Sequence, residues 1–167
     1  MPTLYILSGL AFSGKSTLAK KLAGYIDAEL VSFDPLWVEH EKEIPDVNHG
    51  WRFIRQIAKR KIGEFLRSGR SVVYDDTNPR REHREEFREV ADQAGVKAIV
   101  IYVDTSIEVI RERMQANLQD PQRHDVSEEN FQNNIQQLEK PGMDEKPLVF
   151  SHTDSTGEWL RKNFSES

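Results

Sequence analysis

Nine residues near the N-terminus carry the plainest chemistry: Gly9-Leu10-Ala11-Phe12-Ser13-Gly14-Lys15-Ser16, followed by Thr17. They spell G-x-x-x-x-G-K-S, the Walker A or P-loop pattern, in which glycines let backbone N–H groups curl around a polyphosphate. Gly9, Ala11, Phe12, Ser13, Gly14, Lys15, Ser16 and Thr17 are the expected nucleotide-binding residues. In such a loop the lysine reaches the β- and γ-phosphates of ATP, and the hydroxyl at Ser16 ligates Mg²⁺. Position 11 is Ala, so the dinucleotide fingerprint G-x-G-x-x-G is not met.

Phosphoryl transfer depends on positioning and charge neutralisation more than on covalent chemistry. Three further parts are therefore sought: a carboxylate near the acceptor, an acid supporting the metal, and arginines that close over the transferring phosphate. Asp34, at the tip of the second expected strand, suits the first role. An Asp before Pro35 is also a helix N-cap signal, and the two roles can coexist. Asp75 and Asp76 follow an apolar run, where a Walker-B-type acid sits; neighbouring residues point opposite ways, so either could face the metal. Arg111, Arg113 and Arg123 flank or occupy a polar stretch without a core face, which suits a closing lid over about 114–127. The five histidines have no metal-ligand spacing and read as structural or solvent-facing.

These residues need elements to hold them. Thr3–Ser8 is a short apolar strand, and Leu18, Leu22, Tyr25 and Ile26 recur at helical spacing after the loop. Glu29–Phe33 is a second strand, so the first thirty-odd residues form a βαβ unit and imply a parallel sheet. Residues 34–50 read as irregular and acidic, 51–68 as an amphipathic helix whose stripe includes Trp51, and 71–74 as a buried strand. Asn78-Pro79 looks like a helix start, leading into a helix with alternating Arg and Glu that reads as solvated outside its core face. Residues 97–103 form the most apolar strand, and Thr105-Ser106-Ile107-Glu108 a capping box before a helix ending near Leu118. A further helix carries Phe131, Ile135 and Leu138; Leu148–Phe150 is the last strand and Gly157–Phe164 the closing helix. Strands alternating with helices make a three-layer α/β P-loop NTPase domain, a single domain over 1–167. Ligands in such sheets bind beyond the C-terminal strand ends, where Asp34, Asp75 and Asp76 are expected.

Composition narrows the function classes. There are no cysteines, which removes disulfides and thiolate chemistry. Net charge is −5 and no stretch approaches a membrane span, so nucleic acid is a weaker expectation as partner and a membrane is not expected. The first strand begins almost at residue 1, leaving no room for a signal peptide, and the expected location is cytoplasmic. Two D-x-x-G matches end a helix or lie close to the C-terminus, and no Asn-Lys-x-Asp motif exists, so a GTPase is disfavoured.

The chain resembles the small P-loop kinases that carry AAA-type domains. These include the kinase domains of polynucleotide 5′-kinases and, more distantly, zeta toxins and chloramphenicol phosphotransferase. The resemblance rests on the P-loop, Asp34, Asp75-Asp76-Thr77-Asn78 with its arginine-rich helix, Tyr102-Val103-Asp104 leading into Arg111-Glu112-Arg113-Met114, and Arg123-His124-Asp125-Val126. It implies a parallel five-stranded sheet of order 2-3-1-4-5 with helices on both faces, and an ATP- and Mg²⁺-dependent phosphotransferase acting on a hydroxyl. Carried over, Lys15, Asp34, Arg113 and Arg123 are the catalytic set, with Asp34 as the base toward the acceptor. Thr77 and Asn78 are acceptor-side, and the adenine lies near 151–156. The polynucleotide-kinase pattern has Arg three residues after the base; here that acceptor-side position is Trp37, which cannot make a bidentate phosphate contact. A neutral or cationic small-molecule acceptor, such as a nucleoside, sugar or antibiotic, is therefore expected. Arg52, Arg55 and Lys59 on the next helix are the feature that could rebuild a basic acceptor site. The alternatives are a polynucleotide or RNA 5′-hydroxyl kinase and a non-catalytic ATP-binding switch.

Overall fold

The computed structural model describes residues 1–165. Five parallel strands form one sheet in the order β2-β3-β1-β4-β5: β1 (Thr3–Ser8), β2 (Glu29–Ser32), β3 (Val72–Asp75), β4 (Lys97–Asp104) and β5 (Leu148–Ser151). The expected strand order and fold class are the observed ones. β1 is central, pairing Ile6 with Tyr74 on one side and Val100 on the other. It is buried on both faces, which is why the strands read as apolar runs rather than alternating patterns.

Helices α2 (Phe33–His40), α3 (Gly50–Arg67) and α4 (Arg81–Gln93) cover one face. Phe33, Leu36, Ile54, Ala58, Ile62 and Phe87 pack there against Ile6, Val72 and Tyr74. The other face is covered by α1 (Lys15–Ile26) and α7 (Thr156–Phe164), through Leu18, Leu22, Trp159 and Leu160. A third cluster joins α5 (Ile107–Gln119) and α6 (Glu128–Gln137) to the loop after β1: Ile110, Met114 and Phe131 pack on Leu10, Ala11 and Phe12. The helix pair thus forms a roof on the P-loop itself.

Three expectations need correction. Residues 34–50 are not irregular throughout, because 33–40 is a helix. Pro35 is tolerated in its first turn, where no N–H is required, and Asp34 in that turn favours the positive dipole end. Helix α4 starts at Arg81, not after Asn78, because Asn78 takes a left-handed φ of 40° and its side chain is used elsewhere. The third correction concerns α4's charged face, which is not all solvated. Arg84 is fully buried, with Nε and Nη2 each donating at 2.9 Å to the carboxylate of Glu145 and Nη1 to the Asn78 carbonyl at 3.0 Å.

Candidate active site

The loop between β1 and α1 is built from backbone conformations that few residues adopt. Gly14 has φ 97° and Phe12 φ 62°. A Cβ on Gly9 would lie 3.0 Å from the Val103 carbonyl oxygen and 3.1 Å from Ser13 Oγ, so the loop's first position has no room for a side chain. The loop is pinned from three sides. Gly9 N–H donates to the Thr77 carbonyl at 3.1 Å, Arg113 Nη1 to the Phe12 carbonyl at 2.9 Å, and Thr105 Oγ1 to the Ser13 carbonyl at 2.7 Å. The capping box expected at Thr105 is replaced accordingly: Ser106 caps α5 by accepting from Val109 N–H, and Thr105 is released to hold the loop.

Lys15 is 7% exposed, and its ammonium donates to the Leu10 carbonyl at 3.1 Å. Burial pushes its pKa down, the charges of Asp75, Asp76 and Asp34 pull it back up, and Arg123 adds to the lowering. All four groups therefore lie within electrostatic reach of one ammonium at the C-terminal sheet edge. An ammonium has three donors, and Ser13 Oγ is buried without a hydrogen-bond partner among the described residues. Spare donors at the N-terminus of a helix fit phosphate oxygens. Ser16 and Thr17 stand exposed in the first turn of α1.

The two acids at the tip of β3 differ. Asp75 is buried and accepts one bond at 3.4 Å, from Ser32 Oγ on the adjacent strand. Asp76 accepts from Tyr74 Oη at 2.8 Å and from Thr77 N–H at 2.7 Å, so both its oxygens are engaged. Burial pushes the Asp76 carboxyl up to about 6, against the lowering pull of the Tyr74 and Thr77 hydrogen bonds. A folded-state pKa above the unfolded value means that its contribution to stability is full below about pH 4 and lost as pH rises through about 6. That difference is on the order of 3 kcal/mol. In the nucleotide-free protein, Asp76→Asn should therefore gain about that much relative to wild type between pH 4 and pH 7, read from urea midpoints.

The remaining expected residues are placed as follows. Asp34 is exposed in the first turn of α2. Thr77 lends its carbonyl to the P-loop, as above. Asn78 is buried, and its side-chain amide donates to the Leu7 carbonyl at 2.7 Å while its backbone carbonyl accepts from Ser8 Oγ at 3.0 Å. It ties β1 to the β3 loop, and Asn78→Ala should cost about 2–3 kcal/mol of stability, by loss of the side-chain bond that leaves the Leu7 carbonyl without its partner and by strain at a positive φ. Trp37 is a packing residue: its ring fills the space that a Cβ on Gly50 would enter at 2.5 Å, and it tilts against Phe33 and Trp51. Trp51 itself is half exposed, stacked on Phe33 at 4.6 Å, not part of the α3 core face.

Over the loop, the Arg123 guanidinium sits 4.2 Å from the centre of the Phe12 ring. Asn117 shapes the stretch that carries it, accepting from Gln122 and Arg123 N–H at 2.9 and 3.2 Å and donating to the Arg123 carbonyl at 3.1 Å. Arg111 turns away, forking onto Glu128 with two bonds of 2.9 Å and covering Phe131. Helix α5 ends at Gln119, where the polar stretch begins as expected. Sequence reasoning missed Thr105, Asn117 and Arg84; a Thr directly after a strand-end acid was the one local signal. The turn after β5 reaches back to β4 through His152 N–H on the Asp104 carbonyl at 3.2 Å, so residues 152–155 lie at the same sheet edge.

Residues 4–141 match a family model described as AAA domain, AAA_33. Adenylyl-sulfate kinase of Myxococcus xanthus is 31% identical over 112 residues, 62% of this chain and 58% of that protein. L-seryl-tRNA(Sec) kinase of Methanococcus maripaludis is 28% identical over 150 residues, 83% of this chain and 53% of that one. The chain thus spans little more than half the length of these curated relatives. Among solved structures, Chaetomium thermophilum Kti12 in complex with ADP-AlF3 superposes with a TM-score of 0.80 at 19% identity, over 95% of this chain and 96% of that one. The match over residues 4–141 places the chain in the AAA domain family AAA_33, and the fold and the pinned P-loop are consistent with it.

Proposed function

We propose that the protein transfers the γ-phosphoryl group of Mg-ATP to a hydroxyl of a small-molecule acceptor. The observation that carries this is the convergence on Lys15: a buried ammonium with spare donors, beside Asp75, Asp76 and Asp34, under Arg123. Gly9, Ala11, Phe12, Ser13, Gly14 and Thr17 line the phosphate path, and Lys15 neutralises charge on the β- and γ-phosphates. Mg²⁺ in such sites takes one or two protein ligands and completes its shell with phosphate and water. Ser16 and Asp75 suit it, since Asp76 has both oxygens occupied. When bound, the metal offsets the negative charge of the phosphates.

Asp34 accepts the proton of the acceptor hydroxyl. The acceptor oxygen forms the new bond to the γ-phosphorus, the bond to the β,γ-bridging oxygen breaks, and ADP leaves with that electron pair. Arg113 and Arg123 stabilise the charge on the moving group and, with the roof of α5 and α6, exclude water. A relative named for adenylyl sulfate, a small nucleotide, supports a small acceptor, while the seryl-tRNA(Sec) kinase keeps an RNA-borne hydroxyl as the second reading.

The test is incubation with γ-labelled ATP and a panel of hydroxyl acceptors, including a 5′-hydroxyl oligonucleotide. The proposal expects label on at least one small acceptor, absent with Lys15→Ala. Bound ATP with no label on any acceptor would favour a switch module; faster labelling of the oligonucleotide would favour a nucleic-acid kinase.

A further inference from the structure

A neutral or cationic acceptor is the expectation from Trp37, which stands where an arginine would hold an acceptor phosphate. The Trp37 ring packs α2 onto α3 and supplies no cation of its own. Any anion contact must come from elsewhere, and one place offers it. A cavity of about 320 Å³ lies between α3 and α4, lined by Arg52, Arg55 and Lys59 on one helix and Glu82, His83 and Glu86 on the other. At about 30 Å³ per water, it has room for roughly ten waters or a tetrahedral oxyanion with part of its carrier.

Its position is set by the topology. β3 ends at the ligand-binding edge, and α4 starts just beyond it; α3 ends shortly before β3 begins, so α3 also has its N-terminus at that edge. Arg52 and Arg55 occupy the first two turns of α3, and Glu82 and His83 the first turn of α4. Both positive dipole ends therefore lie at this cavity. Trp51, beside Arg52, stacks on Phe33, which precedes Asp34.

The donors are poorly matched inside the protein. Arg52, Arg55 and Lys59 fall at i, i+3 and i+7, a single stripe. Lys59 pairs with Glu86 at 2.7 Å, and Arg55 reaches the same carboxylate only at 3.8 Å. Glu82 lies 3.5 Å from Arg80 and 3.9 Å from the His83 ring Nε2. Arg52 makes no ion pair among the described residues. Arg55 Nε and His83 Nδ1 are buried with no hydrogen-bond partner among the described residues. Burial and the Arg55 charge hold the His83 pKa down, so at neutral pH it offers an N–H without adding charge.

The geometry points to a second anion site in this cavity, which takes a phosphate, sulfate or carboxylate carried by the acceptor away from its reacting hydroxyl. The assignment to the acceptor rests on the phosphotransferase reading; the anion site itself does not. A small molecule suits it better than a nucleic acid strand, because the stripe runs only about 10 Å along the helix and the chain is net acidic.

The protein is first saturated with Mg-AMPPNP, so that the P-loop is filled, and sodium sulfate is added while ¹H–¹⁵N signals of the arginine Nε and histidine rings are followed. The expected result is a saturable shift of Arg55 and His83. Arg52→Ala/Arg55→Ala should weaken saturation at His83 at least tenfold, and Arg60→Ala, on another side of α3, should leave it unchanged. No saturable shift, or an equal loss with Arg60→Ala, overturns the site whatever the kinase assay shows. Matched acceptors in the Mg-ATP assay then test its role: a nucleoside against its 3′-monophosphate, an alditol against its aldonate, and a 5′-hydroxyl oligonucleotide. KM at least tenfold lower for the charged small molecules supports the acceptor assignment. Equal KM values, or preference for the oligonucleotide, overturn it. Transfer to no acceptor overturns the phosphotransferase reading and the acceptor role with it, while a saturable sulfate shift would still support the anion site.

Discussion

Lys15→Ala should lower phosphoryl transfer by about 10²–10³-fold at saturating Mg-ATP, the usual effect of deleting one preorganised charge-stabilising donor. The loss should be catalytic rather than structural. Lys15 makes one hydrogen bond, to Leu10, and is buried at a cost that its neighbours only partly offset. Removing it therefore takes away a poorly solvated charge, and the ligand-free stability should change little. Stabilisation by ligand is where the variant differs. A wild-type protein at about 100 Kd of nucleotide gains about 2.7 kcal/mol, and the variant should lose most of this at the same concentration. Lys15→Arg should not rescue transfer, because a bulky planar guanidinium does not fit the space of a compact ammonium. Thermal shifts with and without Mg-ADP, beside initial rates, check all three statements.

The largest effect on stability is expected at Arg84 and Glu145. Both side chains are essentially unexposed, and Arg88 adds a contact to the same carboxylate at 3.1 Å. Removing one member leaves the other charged and buried, at about 3–5 kcal/mol. Against a total of about 5–15 kcal/mol for a domain, Arg84→Ala should shift the urea midpoint strongly. Glu145→Ala should do the same. The pair also fastens the segment after α6 to the loop after β3, with help from Glu139 N–H on the Pro79 carbonyl at 2.7 Å. Loss of either residue should therefore loosen the Asn78 loop and, through Thr77, the P-loop. A double Arg84→Met/Glu145→Leu variant should recover much of the stability, since it removes both charges at once.

The P-loop was legible in the sequence because its signals are local. A P-loop is one contiguous pattern, and a parallel sheet buried on both faces leaves apolar runs such as Val72-Val73-Tyr74 that need no partner to be recognised. The surroundings of the P-loop were harder, because their residues act through distant partners. Asn78 looks like a helix cap until its bond to Leu7, far back in the chain, is seen. Arg84 sits in an alternating Arg/Glu helix, and only Glu145, across α5 and α6, distinguishes it from its solvated neighbours. Helix α2 was hidden by a proline and a run of acids, with Phe33 and Leu36 its only buried anchors. Trp37 shows the same limit from the other side: its residue type suggested an acceptor chemistry, but its ring is committed to packing against Gly50.

The central claim is that Asp34 and the P-loop are two halves of one phosphotransfer site. It is tested most directly by following the γ-phosphoryl group of Mg-ATP by ³¹P NMR, in the presence of an accepted hydroxyl compound, for wild type and Asp34→Asn. The account predicts that Asp34→Asn lowers product formation by about 10²–10⁴-fold, the range for a lost general base, with Mg-ATP affinity unchanged. Transfer to the acceptor at the wild-type rate in Asp34→Asn would contradict it.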